Sequence, residues 1–179
     1  MLAILIKMNK LYYLAYGSNL HPHRLVKRGI IAKPVGTVEL TDTRIVFHKL
    51  SKDFSGKCMI VDGKKTNSIS YGFLYEIDAI DESKLDKYEG YGNGYTKKFV
   101  NCPVGDTEYK AFTYVAESKA IDESLKPYRW YKQLVVGGAK YHNFPDEYIS
   151  ALECVESIDD PDAERRALNQ SIIDEITKF

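Results

Sequence analysis

Residues 11–20 constrain the fold of this chain more than any other stretch. The first six of them, LYYLAY, are apolar and aromatic, a pattern typical of a buried strand. Gly17, Ser18 and Asn19 then interrupt the run. Pro22 suits the first turn of a helix, because the N–H that proline lacks would be unpaired there. The stretch therefore predicts a strand, a tight polar turn and a short helix over residues 23–28.

The turn predicted at residues 17–20 would leave main-chain N–H groups pointing outward beside a helix N-terminus. Such groups attract carboxylates and carbonyl oxygens. Gly17 would also let a ligand come close to the main chain. A strand-to-helix connection that binds nothing has the same pattern. These residues alone therefore leave both interpretations open.

At 179 residues the chain is long enough for a single domain with a substantial core. Its 25 basic residues balance 25 acidic ones, so no net charge draws it to nucleic acid or to an acidic membrane. Residues 1–6 are apolar but too short to span a bilayer, and no basic segment precedes them. Whether residues 1–7 belong to the natural start is left open.

The cysteines and histidines give no sign of a disulfide framework or a metal site. Cys58, Cys102 and Cys154 are widely spaced and odd in number, which is typical of a protein of the reducing cytoplasm. His21 and His23 flank Pro22, and a surface loop explains them more simply than a metal does. We therefore expect a cytoplasmic protein without a metal ion.

Hydrophobic periodicity predicts strands early in the chain and helices late. The predicted strands after the first are residues 35–40, 43–50, 58–61, 68–77, 95–100 and 108–115. A helix from Asp78 or Asp81 to Gly90 lies among them, and helices follow at residues 127–137, from 143 and from 160. The helix at 127–137 is expected to end at Gly137 and Gly138. This order predicts an α+β domain with a curled or closed sheet.

Glu89 falls on the last turn of the short helix that is predicted to end at Gly90. The helix dipole disfavours a carboxylate at that position. An exposed glutamate before a capping glycine is the plain interpretation, since most glutamates lie at the surface. By itself the position does not identify a site.

The sequence Tyr16-Gly17-Ser18-Asn19-Leu20 resembles the signature loop of the γ-glutamylcyclotransferase-like family, to which AIG2-like proteins are related. Further resemblances follow in the family's order. They are residues 71–75 (YGFLY), residues 85–90 (LDKYEG) with Tyr95, and Tyr131 with residues 138–140 and 144–148. The resemblance covers roughly residues 11–152.

The resemblance implies a small mixed β-barrel flanked by helices, in a single domain over residues 1–179 with a core at about 11–152 and a helical tail at 160–179. It implies a cofactor-free enzyme of glutathione metabolism that converts a γ-glutamyl amino acid, or a related γ-glutamyl amide, into 5-oxoproline and a free amine. This is a cyclising amide cleavage of the lyase or acyltransferase type. Glu89 would be its general acid/base. The substrate would be bound by Tyr16, Gly17, Ser18, Asn19, Leu20, Tyr95 and Tyr131.

The implied reaction needs little from the protein besides orientation, because the substrate's α-amino group is itself the nucleophile. A single carboxylate can carry the protons, and main-chain donors can stabilise the oxyanion. The expected partner is the small γ-glutamyl substrate, bound by a monomer or a homodimer. Two other enzymes, a γ-glutamylamine cyclotransferase and a γ-glutamyl deprotecting enzyme, stay open as alternatives, as does a non-catalytic γ-glutamyl-binding barrel.

The sequence departs from the family after Pro127, where members often have a serine and this chain has Tyr128. The departure leaves the identity of the leaving group open. Arg129 follows, and an arginine there could meet a carboxylate on the leaving amino acid. We expect instead that Arg129 lies at the surface.

Overall fold

The computed structural model describes residues 9–177, which form seven strands and five α-helices. In chain order these are β1 (Lys10–Ala15), α1 (Pro22–Lys27), β2 (Ala32–Thr41), β3 (Thr43–Leu50), β4 (Gly56–Asp62), β5 (Ile69–Asp78), α2 (Glu82–Glu89), β6 (Tyr95–Val104), β7 (Thr107–Ala116), α3 (Arg129–Tyr141), α4 (Asp146–Glu153) and α5 (Ala163–Ile176). The apolar residues 1–6 lie outside the described residues. Within residues 9–177, no helix is both long and apolar enough to cross a membrane.

Five strands form one mixed sheet in the order β2-β5-β1-β7-β6. Strand β1 runs parallel to β7, and the other neighbouring strands are antiparallel. The sheet curls until its edge strands meet: a Cβ on Gly36 of β2 would lie 2.3 Å from Cγ1 of Val104 on β6. No ladder of described residues joins these two edges. The predicted α+β class and curled sheet are confirmed, but the expected barrel is an open, curled sheet.

Successive side chains along β1 point to opposite faces of this sheet. Leu14 lies in a small core inside the curl, together with Val38, Leu74, Cys102 and Ala111. Tyr13 and Ala15 face the opposite way, into a larger core that is shared with α3. The helices cover that second face, and the loop after β1 emerges there.

Strands β3 and β4 pair with each other in a separate two-stranded sheet, which we call the hairpin. Phe47 and Cys58 of the hairpin are buried in the larger core. The register places Lys49 opposite Lys57 near the end of the hairpin. The hairpin thus forms a wall beside the loop that follows β1.

The prediction that α3 ends at Gly137 and Gly138 is wrong, because the helix continues to Tyr141. Gly138 faces the loop after β1, where an added Cβ would lie 2.3 Å from Cβ of Leu20 and 2.9 Å from the main-chain nitrogen of His21. This glycine allows the helix to approach the loop closely and does not cap the helix. Gly138 is therefore required for packing and not for ending the helix.

The C-terminal helix α5 packs on the rest of the fold through Ile173 and Ile176. Just before it, Asp160 is buried and accepts a hydrogen bond from Trp130 Nε1 at 2.8 Å. Asp160 also pairs with Arg165, N–O distance 2.5 Å. Hydrogen bonding to Arg165 lowers the pKa of Asp160 to about 2. Helix α5 is therefore fixed by a buried charged group as well as by apolar contacts.

Candidate active site

The loop after β1 forms a tight turn, in which the N–H of Leu20 donates to the carbonyl oxygen of Gly17 at 3.0 Å. Ser18 and Asn19 are buried within it. Among the described residues, no acceptor binds the main-chain N–H groups of Gly17, Ser18 or Asn19. An added Cβ on Gly17 would lie 3.2 Å from Cβ of Cys58. The loop thus keeps three unpaired donors in a closely packed position.

Leu20 points away from these donors, and its side chain is fully buried. Its carbonyl oxygen accepts a hydrogen bond from the hydroxyl of Tyr75 and is 2.7 Å from Nε2 of His142. Because its N–H is used in the turn, Leu20 offers neither its main-chain donor nor its side chain to a ligand. Leu20 therefore anchors the loop to the core, and its contact with the substrate stays a prediction.

Glu89 lies at the end of α2, and Gly90 caps this helix in the left-handed conformation, φ 68°, as predicted. One carboxylate oxygen, Oε1, accepts from Nη1 of Arg28 at 2.7 Å and from Nδ2 of Asn19 at 2.9 Å. Arg28 Nη1 also donates to Oδ1 of Asn19 at 2.7 Å. No donor among the described residues binds the other oxygen, Oε2. The carboxylate is therefore fixed through one oxygen and available through the other.

Tyrosine hydroxyls from several elements converge beside Glu89. Tyr95 donates to the carbonyl oxygen of Cys58 at 2.6 Å, and the N–H of Cys58 donates to the hydroxyl of Tyr131 at 3.2 Å. The hydroxyl of Tyr16 donates to the carbonyl oxygen of Tyr114. Burial raises the pKa of Tyr16, Tyr95 and Tyr131 well above that of an exposed tyrosine. These side chains therefore form a neutral wall.

Glu89 lines three neighbouring cavities. The inner cavity, about 20 Å³, is enclosed by the loop and the tyrosines. The second, about 180 Å³, is lined by Arg24, Arg28, Lys49 and Lys57 among others, and we call it the cationic cavity. The third is an outer groove of about 610 Å³. Every predicted site residue except Leu20 lines the inner cavity.

Sequence reasoning missed the four basic residues of the cationic cavity. Arg24 on α1 and Arg28 at its C-terminal cap are four residues apart and so lie on the same side, a signal that was available in the sequence. Lys49 and Lys57 meet only through the register of the hairpin, which the sequence did not specify. Arg129, by contrast, is exposed as expected and pairs with Asp159, N–O distance 3.0 Å.

His21 and His23 were expected in a surface loop, but this does not hold for His21. His21 is buried, and its Nδ1 accepts from the N–H of His23 at the start of α1. Desolvation lowers the pKa of His21 to about 4. Residues 9–177 hold no group of three or more potential metal ligands. Burial raises the pKa of the Cys58 thiol, so this cysteine beside the cavity is not an activated nucleophile.

Comparisons with known proteins agree with this architecture. Residues 70–152 match the model of the AIG2-like family. Bovine γ-glutamylcyclotransferase is 28% identical over 151 residues, which cover 82% of this chain and 79% of that protein. Putative γ-glutamylcyclotransferase YkqA of Bacillus subtilis (strain 168) is 30% identical over 143 residues, or 77% of this chain and 50% of that protein.

The solved structure of a γ-glutamyl cyclotransferase has the same fold, with a TM-score of 0.79 and 23% sequence identity. The match covers 96% of this chain and all of that one. The shared fold, the sequence relatives and the matched family segment agree with one another. The chain is therefore similar in sequence to γ-glutamylcyclotransferases and to the AIG2-like family, and it has the fold of a γ-glutamyl cyclotransferase.

Proposed function

We propose that this protein is a γ-glutamylcyclotransferase-type enzyme, which releases 5-oxoproline and a free amine from a γ-glutamyl compound. The observation that carries the proposal is the asymmetric environment of Glu89. Its Oε1 is held by Arg28 and Asn19, while Oε2 has no donor among the described residues. A carboxylate fixed in this way, at the junction of three cavities, suits a general acid/base.

In the proposed reaction Glu89 takes a proton from the substrate's α-ammonium group. The freed amine attacks the γ-carbonyl carbon and closes a five-membered ring, and the negative charge moves to the carbonyl oxygen. Glu89 then gives its proton to the nitrogen of the leaving group as the original C–N bond breaks. The attacking nitrogen loses its second proton to solvent as the carbonyl re-forms, and the departing amine takes one up from solvent to become an ammonium group. The reaction therefore balances without a cofactor.

The unpaired N–H groups of Gly17, Ser18 and Asn19 can stabilise the negative charge that develops on the carbonyl oxygen. Main-chain donors that are fixed before the reaction stabilise an oxyanion at little cost of reorganisation. The tyrosine wall narrows the inner cavity and favours a folded γ-glutamyl chain, in which the amine lies near the carbonyl carbon. Cys58, Cys102 and Cys154 are free thiols, which supports a cytoplasmic setting.

The substitution Glu89→Gln tests the role of the carboxylate. Glutamine retains the size and most hydrogen bonds but cannot carry the protons, so kcat should fall by roughly 10²- to 10⁴-fold. The affinity for the γ-glutamyl substrate should stay within about tenfold. Glu82→Gln is the matched control on the same helix, since Glu82 pairs with Lys97 instead of lining the cavities.

The assay is release of 5-oxoproline from a panel of γ-glutamyl amino acids, γ-glutamyl amines and glutathione. Near wild-type turnover by Glu89→Gln would contradict the assignment of the acid/base. If the wild-type protein binds these compounds but releases 5-oxoproline from none of them, the domain is a non-catalytic binding module instead.

A further inference from the structure

The carbonyl oxygen of Leu20 lies between two side chains that come from different elements. The hydroxyl of Tyr75 on β5 donates a hydrogen bond to it, and Nε2 of His142 lies 2.7 Å away. The two side chains also meet each other, with 2.8 Å between the Tyr75 oxygen and Nε2 of His142. A single main-chain oxygen at the end of the loop after β1 is thus contacted by two polar groups.

The protons in this group can be assigned from what each atom is able to do. A carbonyl oxygen only accepts hydrogen bonds, and a tyrosine hydroxyl has one proton to donate. Tyr75 uses that proton on Leu20, so His142 can bond to the same oxygen only if its Nε2 carries a proton. Burial lowers the pKa of the His142 imidazole, so the ring is neutral at pH 7. We therefore assign the neutral tautomer with the proton on Nε2.

Both donors are fixed by their surroundings before any ligand binds. Tyr75 is fully buried. The ring of His142 stacks on Phe73, with 3.5 Å between the ring centres. The N–H of His142 donates to the carbonyl oxygen of Gly138 at the C-terminal cap of α3, at 3.2 Å. Because interiors are closely packed, neither ring can turn away from Leu20 without losing these contacts.

These contacts determine the direction of the donors in the loop. The N–H of Leu20 is held by the carbonyl oxygen of Gly17, and its own carbonyl oxygen is held by Tyr75 and His142. Both main-chain polar groups of Leu20 are therefore fixed, and with them the end of the turn that contains the three unpaired N–H groups. Donors that must reorient during a reaction stabilise an oxyanion less than donors that are fixed beforehand.

We infer that Tyr75 and His142 are positioning residues for the reaction: through the carbonyl oxygen of Leu20 they keep the N–H groups of the loop directed at the oxyanion. Neither side chain is among the described residues that line the three cavities beside Glu89. They therefore act through the loop and do not touch the substrate. This inference rests on the proposed function and makes turnover depend on β5 and on the C-terminal end of α3.

The test compares three variants by release of 5-oxoproline from a γ-glutamyl amino acid. Tyr75→Phe removes one hydroxyl and His142→Leu removes the ring donor, whereas His142→Gln retains an N–H donor near the position of Nε2. The oxyanion exists during the reaction and not in the bound substrate. Tyr75→Phe and His142→Leu should therefore lower kcat by about two- to tenfold, the effect of one hydrogen bond, and leave KM within about twofold.

His142→Gln should restore kcat to within about twofold of the wild type, because the donor is retained. Tyr12→Phe is the matched control for loss of a hydroxyl. Tyr12 packs against the smaller core on the opposite face of the sheet, with its ring centre 4.8 Å from that of Tyr109. This variant should leave both kcat and KM unaltered.

A second measurement does not depend on activity. Long-range ¹H–¹⁵N correlation spectra of the imidazole rings report which ring nitrogen carries the proton. In the wild-type protein at neutral pH, His142 should carry it on Nε2. A proton on Nδ1 would contradict the assignment, and the inference with it.

The kinetic outcomes that contradict the inference differ from those that contradict the proposed function. A lower Tm with unchanged kcat in Tyr75→Phe and His142→Leu would give the two residues a role in stability only. An equal loss of kcat in His142→Gln and His142→Leu would show that the N–H donor is not what matters. If His142→Leu does not fold, Tyr75→Phe and His142→Gln decide the question. Release of 5-oxoproline from no γ-glutamyl compound by the wild-type protein would overturn the proposed function as well.

Discussion

Asn19 connects the loop after β1 to the proposed acid/base. Its Nδ2 donates to Oε1 of Glu89 and, at 3.0 Å, to the hydroxyl of Tyr13, while its Oδ1 accepts from Arg28. These three contacts fix the orientation of the amide, because an amide nitrogen can only donate and an amide oxygen can only accept. Asn19 is therefore a positioning residue, which aligns Glu89 through a defined set of donors.

Asn19→Leu should lower kcat by about tenfold, equivalent to ~1.4 kcal/mol and to the loss of one hydrogen bond to a charged group. Arg28 still holds Glu89 in this variant, so the loss should be smaller than in Glu89→Gln. Steady-state kinetics with a γ-glutamyl amino acid would measure it. Asn101→Leu is the control, because Asn101 is exposed on β6. Unchanged kcat in Asn19→Leu would mean that Arg28 alone positions Glu89.

Helix α3 and the loop after β1 pack closely against each other near the site. Gly138 is at the centre of that contact, with the main chain of His21 against it. Gly137, its neighbour, faces α5, where an added Cβ would be 3.5 Å from Cγ2 of Ile176, an ordinary contact distance. Two adjacent glycines in one helix thus differ in what a methyl group would meet.

Gly138→Ala should destabilise the protein by about 1–3 kcal/mol, because the new methyl group overpacks the contact with Leu20. It should also lower kcat/KM, since the displaced loop carries Asn19. Gly137→Ala is the matched control, and it should be neutral or stabilise the helix by up to about 1 kcal/mol. Thermal unfolding and kinetics of both variants would distinguish them. A Gly138→Ala variant as stable and active as the wild type would show that the loop moves to accommodate the methyl group without loss of function.

Local patterns in the sequence were sufficient to predict most strands and helices. The alternating and helical spacings of apolar residues that indicate these elements involve only residues close together in the chain. The strand Ile69–Asp78 and the Gly90 cap are examples. The end of α3 was misplaced, because a glycine that ends a helix and one that admits a neighbour look alike in the sequence. Lys49 joins the site only through hairpin register and tertiary packing, which no local pattern specifies.

At the scale of the whole molecule, the C-terminal helix is attached to α3 by the buried Asp160. This carboxylate accepts from Trp130 on α3 and from Arg165 on α5. The pKa of Asp160 is lowered to about 2, mainly by hydrogen bonding to Arg165. Because its folded-state pKa is below the unfolded value of about 3.9, the charge stabilises the fold above pH 4.

This stabilisation should be lost as the pH falls from about 4 to about 2, when Asp160 takes up a proton. Asp160→Asn should therefore have a lower Tm than the wild type at pH 7, and the difference in Tm should shrink across that acid range. Asp159→Asn is the control, because Asp159 is exposed. Thermal unfolding followed by circular dichroism from pH 7 to pH 2 would measure the curves. A constant difference in Tm would show that the charge of Asp160 is not involved.

The hairpin formed by β3 and β4 is joined to the five-stranded sheet by no ladder of described residues. Hydrogen bonds of Cys58 with Tyr95 and Tyr131 connect it to the site instead. Glu89 is therefore held by α2 and the loop after β1, while Lys49 and Lys57 are held by the hairpin. Because Phe47 and Cys58 of the hairpin are buried in the core shared with α3, the spacing between these lysines and Glu89 depends on how the two sheets pack together.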